Sequence, residues 1–239
     1  PLASVEISRI EMAIIMYKIV IPITLVLWFA GSNSVLSIPS EQCPPVVFIK
    51  RHPHVRKGTN GTMLGQIRPN AQMGSSICVY DPSLPENACK TIFETSDGFI
   101  FDMSLSYDSQ KVLFSYMADV KQNIRNKEDS FHIWEISIDG TQVRQLTSGP
   151  FHDGSPVYLP DGRIVFCSTR VESFSLCQDF LAAAMFIMDG DGSNVRRLEY
   201  NTFCDTTPFV LADGTLLFTR WEYQAKNIFC VQGLWTLNP

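Results

Sequence analysis

One stretch of this chain is written twice at a fixed spacing, and that spacing restricts the fold more than anything else in it. Residues 138–146 read IDGTQVRQL and residues 190–198 read GDGSNVRRL, 52 positions apart. Asp139-Gly140 falls on Asp191-Gly192, and Val143-Arg144 on Val195-Arg196. The next segment keeps the register: 153–166 (DGSPVYLPDGRIVF) overlies 205–218 (DTTPFVLADGTLLF), with Asp153 on Asp205, Pro156 on Pro208 and Asp161-Gly162 on Asp213-Gly214. A weaker copy, SLSYDSQKVLF at 104–114, has Asp108-Ser109 at the turn, and a further one opens at 233–237 (GLWTL) against 132–136 (HIWEI).

Within each unit the apolar runs are strand-length and rich in β-branched or aromatic residues, as at 157–159, 164–166 and 186–188. Seven of the 14 glycines directly follow an aspartate. Asp-Gly supplies the positive φ of a tight hairpin, so the bias predicts hairpins with type I′ turns. No helical periodicity longer than two turns follows residue 40. Four strands in a repeat of roughly 40–50 residues, with no helix, predict the blades of a β-propeller. A β-sandwich would not keep a 52-residue register.

Residues 46–51, 77–80 and 91–95 read as the strands of an initial, divergent blade, so residues 45–239 hold about three and a half blades. A propeller closes with roughly 4 to 8 blades, so the reading expects an incomplete ring that continues past Pro239, to six or more.

The N-terminal segment reads as an address. The chain begins at Pro1, and Met12 and Met16 are the plausible starts, with Met16 preferred. From there one Lys18, an apolar run over 19–30 and a small-residue exit have the order of a secretory signal peptide. Ala30 and Ser32 suit the positions before a cleavage site, giving a leader over 1–32 and a linker over 33–44. The alternative is an uncleaved membrane anchor over 13–30, with Lys18 snorkelling. The secreted or extracytoplasmic reading is the expectation, and any membrane contact would come through this segment alone.

Seven cysteines in 239 residues are too few for a disulfide-built scaffold, so packing must carry the fold. The spacings Cys78/Cys89 and Cys167/Cys177 would permit local bridges, although connectivity does not follow from spacing. Asn60-Gly61-Thr62 is a glycosylation sequon. A formal charge of -5 with no basic run argues against nucleic acid as a partner.

The unit of strand, Asp-Gly turn, Arg-x-Leu and then D-x-x-P-x-x-x-x-D-G-x-x-x-F resembles the WD40-like repeat of TolB-type propellers. More narrowly, DGSPVYLPDGRIVFCSTR, MDGDGSNVRRL, LADGTLLFTRWEY and LWTLNP resemble the middle, propeller domain of hydrazine synthase alpha subunits and their relatives. The strings Ser168-Thr169-Arg170 and Arg220-Trp221-Glu222-Tyr223 are the most specific parts. The resemblance covers residues 45–239 and is strongest over 98–239. It implies a secreted six-bladed propeller within a larger exported protein. It does not bring the haem chemistry with it: c-type haem attaches at C-x-x-C-H, and the chain has no C-x-x-C and no histidine after a cysteine, so no cofactor is expected here.

Motifs of other chemistries are missing as well: G-x-S-x-G, the P-loop and H-E-x-x-H do not occur. His52 and His54, among Lys50, Arg51, Arg56 and Lys57, read as a solvated basic loop rather than a metal or anion site. Asp153 and Asp205, three residues before proline, read as bonding backbone amides in turns between blades. Asp189 and Asp191 alone are too few for calcium. Arg170, Arg220 and Glu222 read as inter-blade ion-pair residues, and Trp134, Trp221 and Trp235 as packing between blades. The functional expectation is a non-catalytic binding scaffold that offers its loops to a protein, glycan or small ligand. The alternative is one domain of a secreted enzyme whose catalytic part, haem-bearing or of the α/β-hydrolase kind, lies beyond residue 239.

Overall fold

The computed structural model describes residues 44–51, 73–83, 89–118, 130–171, 182–200, 204–221 and 232–239. The signal segment, Asn60, His52, His54, Cys177 and Glu222 lie outside these residues. Among the described residues the chain is all-β, and none of its elements is a helix long and apolar enough to cross a membrane.

Among the described residues fourteen strands form four antiparallel sheets, each a blade of a propeller. The first sheet is β1 (Val46–Arg51), β2 (Ser75–Tyr80) and β3 (Cys89–Thr95). The second is β4 (Phe99–Leu105), β5 (Lys111–Met117), β6 (His132–Ser137) and β7 (Arg144–Gln145). The third is β8 (Asp153–Tyr158), β9 (Ile164–Ser168), β10 (Ala184–Met188) and β11 (Arg196–Arg197). The fourth is β12 (Cys204–Val210), β13 (Leu216–Trp221) and β14 (Gln232–Leu237). Each sheet is a meander in sequence order, and β8 lies against both β4 and β12, so in the second, third and fourth sheets the first strand is the innermost.

The core is a row of layers between successive sheets. Ile77 and Ile92 of the first sheet meet Ile100, Val112, Phe114 and Ile136 of the second. Leu113 and Ile133 of the second meet Tyr158, Ile164, Phe166 and Phe186 of the third. Val157, Val165 and Ile187 then meet Leu216 of the fourth. A strand covered on both faces has no reason to alternate, which is why β9 (IVFCS) and β10 (AMFIM) are buried throughout. Trp134 packs in the layer between the first and second sheets, and Trp221 in that between the third and fourth. Trp235 is half-exposed and stacks on Arg220 instead.

The hairpins differ from the expected type. At Asp139-Gly140, Asp161-Gly162, Asp191-Gly192 and Asp213-Gly214 only the glycine has positive φ, between 86° and 93°. A type I′ turn needs positive φ at both central residues. Here the glycine N–H instead closes an i to i+3 bond, as from Gly162 to Leu159 O at 3.0 Å, and the aspartate precedes it at ordinary φ. The loop is therefore three residues with a left-handed glycine, the bulge-type hairpin. Asp-Gly also over-predicts: Gly98, Gly154 and Gly190 follow aspartates without positive φ, and Gly154 lies within β8.

Pro156 and Pro208 mark a different device. The β8–β9 ladder slips between Gly154 and Val157, and the β12–β13 ladder between Thr206 and Phe209, each a bulge containing the proline. Proline has no N–H to give to a ladder, and a bulge asks for none. The residue before each, Ser155 and Thr207, stands at φ 51°.

Candidate functional site

The blades have two unlike ends. At one, strands join through the short Asp-Gly hairpins. At the other, β5 passes to β6 over 118–131, β9 to β10 over 169–183 and β13 to β14 over 222–231. At this second end the innermost strands carry one aspartate each: Asp102, Asp153 and Asp205, spaced by 51 and 52 residues. Variable connections on a rigid frame are where binding residues concentrate.

Asp153 and Asp205 are not in turns. Both sit in strands, fully buried, and each is held by an arginine of its own blade. Arg170 NH2 donates to Asp153 Oδ1 at 2.9 Å and Arg170 Nε to Ser168 Oγ at 2.8 Å. Its guanidinium stands 4.5, 5.1 and 5.0 Å from the ring centroids of Phe151, Phe166 and Phe186. Arg220 makes the planar two-point contact with Asp205, Nε to Oδ1 and NH2 to Oδ2, both at 2.8 Å, between Phe218 and Trp235. The expectation of inter-blade ion pairs is thus corrected: both stay within one sheet, because Arg220 lies in β13 directly opposite Asp205 and Arg170 lies two residues past the end of β9, the strand that pairs with β8. The aspartates join blades through their backbone instead, Asp153 N–H donating to Phe131 O at 2.8 Å and Asp205 N–H to Ala183 O at 3.1 Å.

The two pairs differ in one respect. Asp205 spends both oxygens on Arg220, whereas Asp153 Oδ2 makes no hydrogen bond among the described residues. The atom nearest in charge terms is His132 Nδ1 at 3.7 Å, from the preceding blade, which also lacks a hydrogen bond. His152 lies alongside: its Nδ1 accepts from Phe131 N–H at 3.2 Å, and burial holds its pKa below the ordinary imidazole value.

Asp102 takes no arginine. One oxygen accepts from Ser115 Oγ, and the other accepts Ser155 N–H at 2.7 Å and Ser155 Oγ–H at 2.9 Å from the next blade. Burial raises its pKa against those hydrogen bonds and the charge of Arg51. Sequence reasoning missed Asp102 because its neighbours do not match the repeat; the one-per-blade spacing of aspartates was the signal that could have found it.

The turn aspartates keep to themselves. Asp139, Asp161, Asp191 and Asp213 accept through Oδ1 the N–H two residues on, at 2.8–3.0 Å, which lowers their pKa. Cys78, Cys89 and Cys167 are thiols, so the structure contains no Cys78–Cys89 bridge, and Cys177 lies outside the described residues. Cys78 and Cys89 sit on paired strands out of register: Cys78 faces Thr91, and Cys89 faces Tyr80. Cys204 is a buried thiol as well, with a pKa pushed up to about 11 by burial. Among the described residues no three His, Cys, Asp or Glu side chains converge as a metal site.

No protein-family model and no curated protein matches the chain. Solved structures do. An oligogalacturonate lyase from Vibrio parahaemolyticus superposes with a TM-score of 0.51 at 16% identity, over 69% of this chain and 45% of that one. A TolB from Agrobacterium tumefaciens gives 0.49 at 19%, over 77% and 52%. Hydrazine synthase from Kuenenia stuttgartiensis gives 0.48 at 19%, over 62% and 24%. At such identities the likeness is one of fold, and the chain spans about half or less of each of these proteins.

Proposed function

We propose that this chain is the propeller part of an exported protein and works as a binding scaffold, engaging a protein, glycan or small ligand with the long-connection end of its blades. The observation that carries the reading is the buried pair Asp153 Oδ2 and His132 Nδ1, 3.7 Å apart and without hydrogen bonds among the described residues, at that end. A buried polar atom left unbonded costs about 1–3 kcal/mol, which a ligand able to bond the pair would recover. The rigid Asp–Arg frame beneath the connections supports the same reading.

The test is a peptide and glycan array probed with the secreted chain, then repeated after residues 172–181 are exchanged for a Gly/Ser segment of equal length. Binding should vanish while the melting temperature stays. Retained binding rules out the long-connection end. Export is checked by expressing residues 1–239 in secretory eukaryotic cells: the chain should appear in the medium starting at Asn33, with a glycan on Asn60. Retention inside the cell counts against it.

A second reading is a propeller domain within a secreted enzyme. It is favoured by the share of the lyase chain that this chain spans, 45%. The two readings separate on C-x-x-C-H or G-x-S-x-G in any sequence encoded after Pro239.

A further inference from the structure

The opposite end of the blades holds a cleft of its own. Between the second and third sheets, at the hairpin end, lies a space of about 470 Å³, within the range of small-ligand sites. Its lining includes Tyr107, Asp108 and Lys111 from the β4–β5 hairpin, Glu135 from β6, Arg144 from β7 and Asp191 from the β10–β11 hairpin.

Glu135 is buried and already saturated. Oε1 accepts from Arg144 Nε at 2.9 Å and lies 3.3 Å from Lys111 Nζ, and Oε2 accepts the Tyr158 hydroxyl at 2.7 Å. Burial and this carboxylate push the Tyr158 pKa up, so its proton stays on the phenol. Arg144 NH2 also donates to Gly190 O at 2.9 Å, which ties the site to the third sheet. The Lys111 and Arg144 side chains are nonetheless 45% and 42% exposed, leaving donors for a ligand. Asp108 and Asp191 use Oδ1 within their own turns.

Two cations thus stand against three carboxylates, a net charge of -1 made of both donors and acceptors. That is a poor field for an anion, and the cations make it a poor one for a metal ion. Tyr107, 48% exposed, brings an aromatic side chain to the lining. An aromatic side chain beside charged donors and acceptors matches a ring with one C–H face and a rim of hydroxyls. We infer that this cleft binds a neutral hexose unit, its C–H face on Tyr107 and its hydroxyls shared between Lys111 and Arg144 as donors and Asp108 and Asp191 as acceptors.

The test uses the full chain with maltose, cellobiose and N,N′-diacetylchitobiose, and with digalacturonate as the acidic counterpart, read by saturation-transfer NMR and titration. At least one neutral disaccharide should bind with a Kd on the order of millimolar and lose about tenfold in affinity in Tyr107→Ala. Tyr107 is exposed enough for that variant to fold, and an unchanged melting temperature confirms it. Lys111→Gln, which removes a charge but keeps donors, should weaken binding less. The inference is overturned if none of the three neutral sugars binds at about 10 mM, if Tyr107→Ala leaves affinity unchanged, or if digalacturonate binds more tightly than they do.

Discussion

Each blade is held at its two ends by different kinds of bond. At the hairpin end the bonds that shape each turn are short in sequence: Asp161 Oδ1 reaches the N–H of Arg163 two residues on, and Gly162 N–H bonds Leu159 O three residues back, although Arg144 NH2 also reaches Gly190 O of the next sheet. At the long-connection end they reach further, from Asp153 to Arg170 17 residues on in the same blade and from Asp102 to Ser155 of the next blade, 53 residues away. A local bond needs only its own tetrapeptide and stays exposed to water. A long-range one exists only once separate strands, of one sheet or of two, have come together, and then it is buried. Damage at the two ends should therefore differ in size and in kind.

The sharpest test of that difference is Arg170→Met. It strips a fully buried carboxylate of its cation and removes the contact with three phenylalanine rings. Breaking a buried pair from one side costs about 3–5 kcal/mol, read as a fall in the urea midpoint at constant slope. Asp153→Asn combined with Arg170→Met should return most of that loss, because no unpaired charge remains. A cost for Arg170→Met below about 1 kcal/mol would erase the contrast between the ends.

Next in size is a pair of glycines at the hairpin end. Gly162 and Gly192 share the left-handed conformation, at φ 89° and 93°. A Cβ on Gly162 meets nothing within 4 Å, whereas one on Gly192 would lie 2.6 Å from Leu146 O. Gly162→Ala should cost about 1 kcal/mol of backbone strain alone. Gly192→Ala adds a clash with backbone and should cost at least about 1 kcal/mol more. Equal losses, measured by thermal melting, would mean that the segment around Leu146 yields easily.

These contrasts explain what was legible in the residues. The hairpins and strands were readable because Asp-Gly, the 52-residue register and the apolar runs are local signals. Even there Asp-Gly marked four of the hairpin turns but not their type, since the left-handed glycine serves both hairpin classes, and it also marked Gly154 inside a strand. Asp153 and Asp205 were visible as repeated positions, but their partners were not: whether an aspartate finds an amide or a guanidinium depends on what the neighbouring strand brings alongside. Asp102 stayed hidden for the same reason, as its partner Ser155 belongs to the next blade. Glu135, in the hairpin-end cleft, is surrounded by groups from β5, β7 and β8, which no short motif records.

The smallest effects should be in pH dependence, where two partly buried groups of the long-connection end act with opposite sign. His152 has a folded pKa below its unfolded value, so folding favours the neutral ring. Its contribution is complete above the unfolded value of about 6.5 and is lost as pH falls through the folded value. Asp102 has a folded pKa above its unfolded value, so its contribution is complete below about 3.9 and is lost as pH rises through the folded value. Urea midpoints between pH 4 and 8 should separate them. His152→Gln should lose less stability than the parent chain as pH falls. Asp102→Asn, which keeps an acceptor for Ser155 N–H but carries no charge, should gain on the parent as pH rises. The exposed turn aspartates contribute the same background to all three proteins, so the differences isolate these two groups. Parallel curves would place the pH response at the hairpin end, where the aspartates with lowered pKa stand in water.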